Sequence, residues 1–280
     1  MRLTFRLLAQ NTQNGTTQNY TGAYAKLDPT APANFNFGAR SGTTNLSART
    51  TAVYSAAAPA WGAGILDVLI ANQLRVSIAR AASGPDGRFL GVPLGIAPTD
   101  SDGVAMASYD LDVDSNAAND HTVVVTAPDI RYGRLVLQNA FGSELLPLPV
   151  PMRAQYYLDG SSGFVLANDD NCTRIASGDL RLSNGSGTVN GAGPTTVGTS
   201  STTATIASSP FSNGDAGLSL SAPGAGGDGY VDVTIQPGLF PAYLLFDWDG
   251  NGVHDNVPSG RATFGVYQGN PRQIYLRERY

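Results

Sequence analysis

The sequence predicts an all-β protein, and three observations carry that prediction. Apolar residues recur at every second position in many short runs, the period of a strand with one buried face. Stretches with helical period are scarce. Charged residues make up only 14% of the 280, yet apolar residues still reach 42%, enough for packed cores rather than a disordered chain.

Taken in order, Leu3, Phe5 and Leu7 alternate with polar neighbours as a first strand, which Asn11–Gly15 ends. Asn19–Leu27 and Asn34–Phe37 read as short strands divided by Asp28–Pro29. Thr44–Ser55 follows, then an Ala/Pro/Gly linker at Ala56–Gly64. Gln73–Ala79 places Leu74, Val76 and Ile78 on one face. Phe89–Ile96 is apolar, and Thr122–Thr126 is a β-branched strand broken by Ala127–Pro128. The domain boundary is set there, giving residues 1–128 and 129–280. Strand spacing suits an immunoglobulin-like sandwich in the first part, so the chain is expected to hold tandem antiparallel β-sandwiches.

In the second part, Tyr132–Asn139 precedes the apolar run Leu145–Leu158. Pro147, Pro149 and Pro151 lack N–H donors on one side of that run, which fits an edge strand or an extended linker. Gly163–Ala167 is a further strand. The Gly/Ser/Thr-rich stretch 184–217 reads as exposed strands and long loops. Tyr230–Ile235 alternates again, and Pro241–Asp247 is the most apolar strand of this part. Arg261–Gln268 and Arg272–Tyr280, joined at Gly269–Pro271, form a terminal hairpin.

Formal net charge is −5 and no basic stripe occurs, so a nucleic-acid partner is not expected. No apolar run is long enough for a membrane span. The opening MRLTFRLLAQN reads as a strand rather than a signal peptide, so export would place the signal upstream of this chain. The single Cys172 can pair only outside the chain or lie buried; the buried state is preferred.

Asp247, Asp249, Asn251 and Asp255 stand at positions one, three, five and nine of a calcium-type loop. Gly252 makes the turn at six, and Val253 offers its carbonyl at seven. Position twelve is Pro258 in place of the bidentate Glu, so the loop is expected between strands, with water or distant groups completing the shell around Ca²⁺. The alternative is an acidic turn without metal. A second acidic cluster comprises Asp100, Asp102, Asp110, Asp112 and Asp114. Alternation would place Asp110, Asp112 and Asp114 on one strand face. A solvated edge guarded by charge accounts for them, with Asp100, Asp102, Asp112 and Asp114 as a second candidate metal set.

Three blocks carry a family resemblance: RYGRLVLQNAFGSELLPLPVP at Arg131–Pro151, NDDNCT at Asn168–Thr173, and FDWDGNGVHDN with RATFGVYQGNPRQIYLRERY at Phe246–Tyr280. With NYTGAYAKLDP and PTDSDGV they cover nearly the whole chain, which resembles the C-terminal region of MshQ-like MSHA biogenesis proteins. That resemblance implies an exported, cell-surface protein associated with a type IV pilus, with a role in biogenesis or adhesin presentation and a minor pilin or other pilus subunit as partner.

Three functions compete. The first is a non-catalytic interaction module with a calcium-stabilised loop. The second is a calcium-dependent carbohydrate-binding module that recognises a surface glycan by stacking on Trp248, Trp61, Tyr156 or Tyr157. The third is an enzyme, for which no nucleophile elbow, phosphate loop or His/Cys metal set is present, and His121 and His254 are the sole imidazoles. The first is preferred, with Tyr275 and Arg277 of the terminal strand as interface anchors.

Overall fold

The structure, a computed structural model, describes residues 1–81, 84–125, 128–236 and 238–265. It is all-β: among the described residues the only helices are short 3-10 turns, and none is long and apolar enough to cross a membrane. The chain divides into two compact units.

The first unit comprises Met1–Ala81 and Pro85–Arg131. Its strands are β1 (Phe5–Leu8), β2 (Phe37–Ser41), β3 (Thr44–Asn45), β4 (Thr50–Tyr54), β5 (Ile65–Val68), β6 (Leu74–Ile78), β7 (Leu94–Ile96) and β8 (Thr122–Val125). All pair antiparallel, as β1–β5, β4–β6 and the four-stranded order β3-β2-β7-β8. The three sheets feed one core: Leu7, Leu66 and Val68 from the first, Leu74 and Val76 from the second, Ala39, Leu94 and Ile96 from the third. Phe35 sits at its centre, in edge contact with Phe5 and Phe37. The unit extends to Arg131 because Val92 N–H donates to the Pro128 carbonyl and Phe89 exchanges backbone bonds with Ile130.

The second unit begins at Tyr132. Its strands are β9 (Gly133–Leu137), β10 (Ala140–Gly142), β11 (Leu148–Pro149), β12 (Met152–Asp159), β13 (Gly163–Leu166), β14 (Leu180–Ser183), β15 (Thr188–Asn190), β16 (Thr195–Val197), β17 (Ser200–Thr202), β18 (Ala204–Ile206), β19 (Leu218–Leu220), β20 (Gly229–Ile235) and β21 (Gly260–Phe264). One sheet has the order β10-β21-β20-β14-β15; others are β13-β12-β9, β11-β19-β18 and the hairpin β16–β17. Pairing is antiparallel except between β10 and β21. Leu135 and Leu137 of β9, Met152 and Ala154 of β12, Leu182 of β14, Val231 and Val233 of β20, and Phe264 of β21 share one core. The alternation of β20 buries Val231, Val233 and Ile235 and turns Tyr230 and Asp232 the other way. Pro149 lies in β11, at the edge of its sheet, where a missing N–H costs no ladder bond.

Four expected strands are absent. Asn34–Phe37 is instead the end of a 3-10 turn at Pro32–Phe35, closed by Asn36 in the left-handed region, and only Phe37 enters β2. Asn19–Leu27 is a turn around the 3-10 segment Gly22–Tyr24, fixed by the Tyr20 hydroxyl, which accepts from Leu27 N–H and donates to Asp100. Pro241–Asp247 instead forms a 3-10 turn at Ala242–Leu244, with Pro241 capping it and Leu244 filling the core. Asp110–Asp114 is not a strand either: only Leu111 bridges, to His121, and the chain then bends through residues 113–118. In Asn19–Leu27 and Asp110–Asp114 side-chain oxygens of Tyr20 and Asp120 take up backbone N–H groups a strand would have paired. Pro241–Asp247 is turned by its own backbone bonds, Leu244 N–H to Pro241 and Leu245 N–H to Ala242. The Arg272–Tyr280 strand lies outside the described residues.

Candidate functional site

The Asp247 loop leaves and re-enters the fold through a bridge between Phe246 and Asn256. Inside it, Asp247 accepts Asn251 N–H on Oδ1 at 3.0 Å and Gly252 N–H on Oδ2 at 2.9 Å. Asp249 accepts Asn251 N–H at 3.2 Å and the Asn251 amide at 3.0 Å, and Asn251 Oδ1 accepts Val253 N–H at 2.7 Å. Gly250 and Gly252 have φ of +74° and +83°, which glycine adopts without steric cost. Desolvation pushes the Asp247 carboxyl up, but the donors around it, Gly252 N–H first, outweigh this and hold it below the usual carboxylate range. The turn therefore keeps its leading carboxylate ionised and leaves lone pairs over for a cation.

The same construction recurs in the first unit, at Asp112–Asp120. Asn116 N–H donates to Asp112 Oδ1 and to Asp114 Oδ1, both at 3.2 Å. The Asn116 amide donates to Asp114 Oδ2 at 3.0 Å, Ala117 N–H to Asp112 Oδ2 at 3.0 Å, and Ala118 N–H to Asn116 Oδ1 at 2.8 Å. The Leu111–His121 bridge stands where Phe246–Asn256 stands in the other loop. Ser115 and Ala117 adopt φ of +63° and +74°, the left-handed region, in the positions that Gly250 and Gly252 fill. Non-glycine residues are strained there, so the carboxylate bonds hold the turn against its own side chains.

A family model described as DUF6701, fourth domain, matches residues 131–279, and one described as DUF6701, third domain, matches residues 1–125. The chain belongs to the DUF6701 family. No curated protein and no solved structure matches it. Each loop of this DUF6701 chain falls within one of the two matched segments.

The two loops differ in how their charges are spent. Asp120 accepts Val113 N–H at 3.0 Å and the His121 ring at 2.9 Å, so the position-nine carboxylate closes its own loop. Arg40 brings a guanidinium to 3.7 Å from Asp112. In the second-unit loop, Asn256 takes over closure by accepting Trp248 N–H at 3.1 Å, and Asp255 stays exposed. Among the described residues no basic side chain pairs with Asp247 or Asp249. Nor do any three His, Cys, Asp or Glu side chains there gather closely enough to hold a metal alone. A cation in the DUF6701 loops would thus need the asparagine oxygen, a carbonyl such as that of Val253, and water besides two carboxylates.

The second candidate metal set is not assembled as expected. Asp100 belongs to another turn, accepting Asp102 N–H at 3.0 Å and Val104 N–H at 2.9 Å. Asp110 accepts Val123 N–H. Asp112 and Asp114 join Asn116 rather than Asp100 and Asp102, because a bend and not a strand carries them. The offset between the two D-x-D-x-N stretches was visible in the sequence, but the strand-like alternation of YDLDVD masked it.

Trp248, 40% exposed, rests edge-on against Phe246, with ring centroids 5.1 Å apart. Phe246 in turn contacts Phe164 and His254, and the Arg134 guanidinium lies 3.8 Å from the Phe164 ring centroid and 5.3 Å from that of Trp248. Gln155 Oε1 accepts two bonds from Arg134 and fixes it. Desolvation lowers the Arg134 pKa, an expense that aromatic faces partly offset. The loop is thereby seated on the β13-β12-β9 sheet. Trp61 is buried, its indole N–H donating to the Leu27 carbonyl, so it is core rather than a sugar platform. Cys172 is exposed, not buried, since Asp170 gathers its N–H and Sγ into a surface turn. Tyr275 and Arg277 lie outside the described residues.

His121 is a packing residue. It is 6% exposed and seats on the paired glycines of β2 and β7, Gly38 and Gly95; a β-carbon on Gly38 would lie 2.5 Å from Nε2. Gly38→Ala should therefore destabilise the first unit by about 1–3 kcal/mol, the usual scale of overpacking, as a lower urea midpoint would record.

The depressed pKa values of Asp112 and Asp247 fix the sign of an acid response. Depression in the fold means stability that is complete above the unfolded carboxylate value, about 3.9, and lost as pH falls through the lower folded values. Urea midpoints should stay level from neutral pH to about 4–5 and drop below that. The drop should shrink in Asp112→Asn and Asp247→Asn. A midpoint that rises on acidification would contradict this account.

Proposed function

We propose that this chain is a non-catalytic interaction module of an exported, type IV pilus-associated surface protein. It is built from tandem β-sandwiches of immunoglobulin-like class divided near residue 128. One Ca²⁺ rigidifies the loop Asp247, Asp249, Asn251, Val253 and Asp255. The observation that carries this reading is the recurrence of one hydrogen-bonded loop in both units, with its charges neutralised by Arg40 and committed to closure in one and left open in the other. An oxygen-rich turn with an ionised leading carboxylate and a spare Asp255 suits a hard cation, while the Asp112 loop already has an internal counter-charge. The resemblance to MshQ-like proteins supports the pilus setting and a minor pilin as partner.

The test is capture of the minor pilins of an MSHA pilus by the purified chain, with calcium and with chelator. Capture should require calcium and be lost in Asp249→Ala but kept in Asp114→Ala. Absence of capture in calcium would overturn the pilus reading. A second reading, a calcium-dependent carbohydrate-binding module, draws on the exposure of Trp248 beside the loop. Glycan binding that needs both Trp248 and calcium, without pilin capture, would favour it.

A further inference from the structure

We infer that the second unit carries a binding cleft for a neutral saccharide, formed by the turn between β14 and β15, the strand β16 and the ring of Tyr230. The cleft is open on one side and has a volume of about 420 Å³, within the range of small-ligand sites, and none of its lining residues is an Asp, Glu, Lys, Arg or His. It has no connection to the Asp247 loop in its lining and does not rest on calcium.

Its chemistry is half polar and half apolar, and the division is by type. Val189, Val197 and Pro194 supply aliphatic surface beside the aromatic ring of Tyr230. Ser186, Thr188 and Thr196 supply exposed side-chain hydroxyls for which no bond is formed among the described residues. A sugar ring presents the matching surfaces, C–H faces for the apolar wall and hydroxyls for the rim. Phosphorylated or carboxylated ligands would find no cationic side chain in the lining, and the nearby Arg261 is already paired with Asp232, so desolvation penalises them. An extended peptide would need a longer free edge than the three residues of β15 provide.

The walls are fixed before any ligand arrives. Asn184 accepts Ser186 and Gly187 N–H on Oδ1 and donates to the Thr196 carbonyl at 2.7 Å, tying the β14–β15 turn to β16. Arg261 stacks 4.0 Å from the Tyr230 ring centroid while bonding twice to Asp232, which holds the ring. Thr195, 1% exposed, keeps its hydroxyl without a partner in the same wall. Such preorganisation lowers the cost of ordering on binding.

Saturation-transfer NMR on the full chain, with maltose, cellobiose, lactose and chitobiose as probes, tests the cleft. At least one disaccharide should receive saturation at its ring protons, with millimolar affinity. Tyr230→Ala should weaken binding about tenfold. The exposed pair Ser186→Ala with Thr188→Ala, remote from the core, should do so by about tenfold as well and decides the matter if Tyr230→Ala fails to fold. Chelator should change nothing, which separates this cleft from the calcium-loop reading. No transfer to any probe overturns the proposal. So does transfer untouched by the Ser186/Thr188 pair, or tighter binding of an uncharged hexapeptide than of every sugar.

Discussion

Calcium at a hundredfold excess over its Kd should stabilise the second unit by about 2.7 kcal/mol, because a ligand that binds only the folded state adds RT ln(1 + [L]/Kd). For a unit of this size that shift raises the melting midpoint by about 5–11 °C. The first unit's transition should not move, since Arg40 and His121 already occupy the charges of the Asp112 loop. Asp249→Ala should abolish the response, for it removes a carboxylate that receives the Asn251 donors and that the calcium proposal counts as a ligand. Asp114→Ala should leave it intact. A differential-scanning record in which calcium and chelator give one identical trace for wild type would end the calcium proposal. A response that survives Asp249→Ala would place the ion elsewhere.

Phe35→Ala should cost the first unit about 3–5 kcal/mol, the range for removing a fully buried ring without collapse of the space left behind. Phe35 is 0% exposed, and its ring meets Phe5 at 5.2 Å and Phe37 at 6.1 Å, both edge-on. It lies at the meeting of β1 and β2, so its loss loosens two sheets together. Urea unfolding followed by first-unit tryptophan fluorescence reads the effect, as Trp61 lies in the same core. A midpoint change worth less than about 1 kcal/mol would mean that the core closes over the space.

Much of the scaffold was legible in the chain. Leu74, Val76 and Ile78 alternate in the sequence and lie in β6; Val231, Val233 and Ile235 do the same in β20. The every-second prolines fit an edge strand or an extended linker, and Pro149 lies in the edge strand β11. These signals are local, since the period of a strand is written in consecutive residues. The Asp247 loop was equally readable, because its ligand-type residues sit at fixed short offsets within one turn.

Turn bonds and tertiary packing together decided the rest. Pro241–Asp247 has the composition of a strand, yet Leu244 reaches the core from a 3-10 turn. Asp110, Asp112 and Asp114 alternate like a strand, yet Asp110 serves Val123 N–H while the other two wrap Asn116. The D-x-D-x-N spacing is common to both turns in the sequence, but only the folded chain shows Arg40 from β2 meeting one copy and an exposed Asp255 left over in the other. The cleft beside Tyr230 joins residues from β15, β16 and β20, and no sequence period encodes it. The sequence by itself determined strand faces, the edge prolines and the oxygen-rich turn, because each depends on neighbours along the chain. Which carboxylates are neutralised, which aromatics are buried and where a cleft opens depend on groups far apart in sequence, and packing alone brings those together.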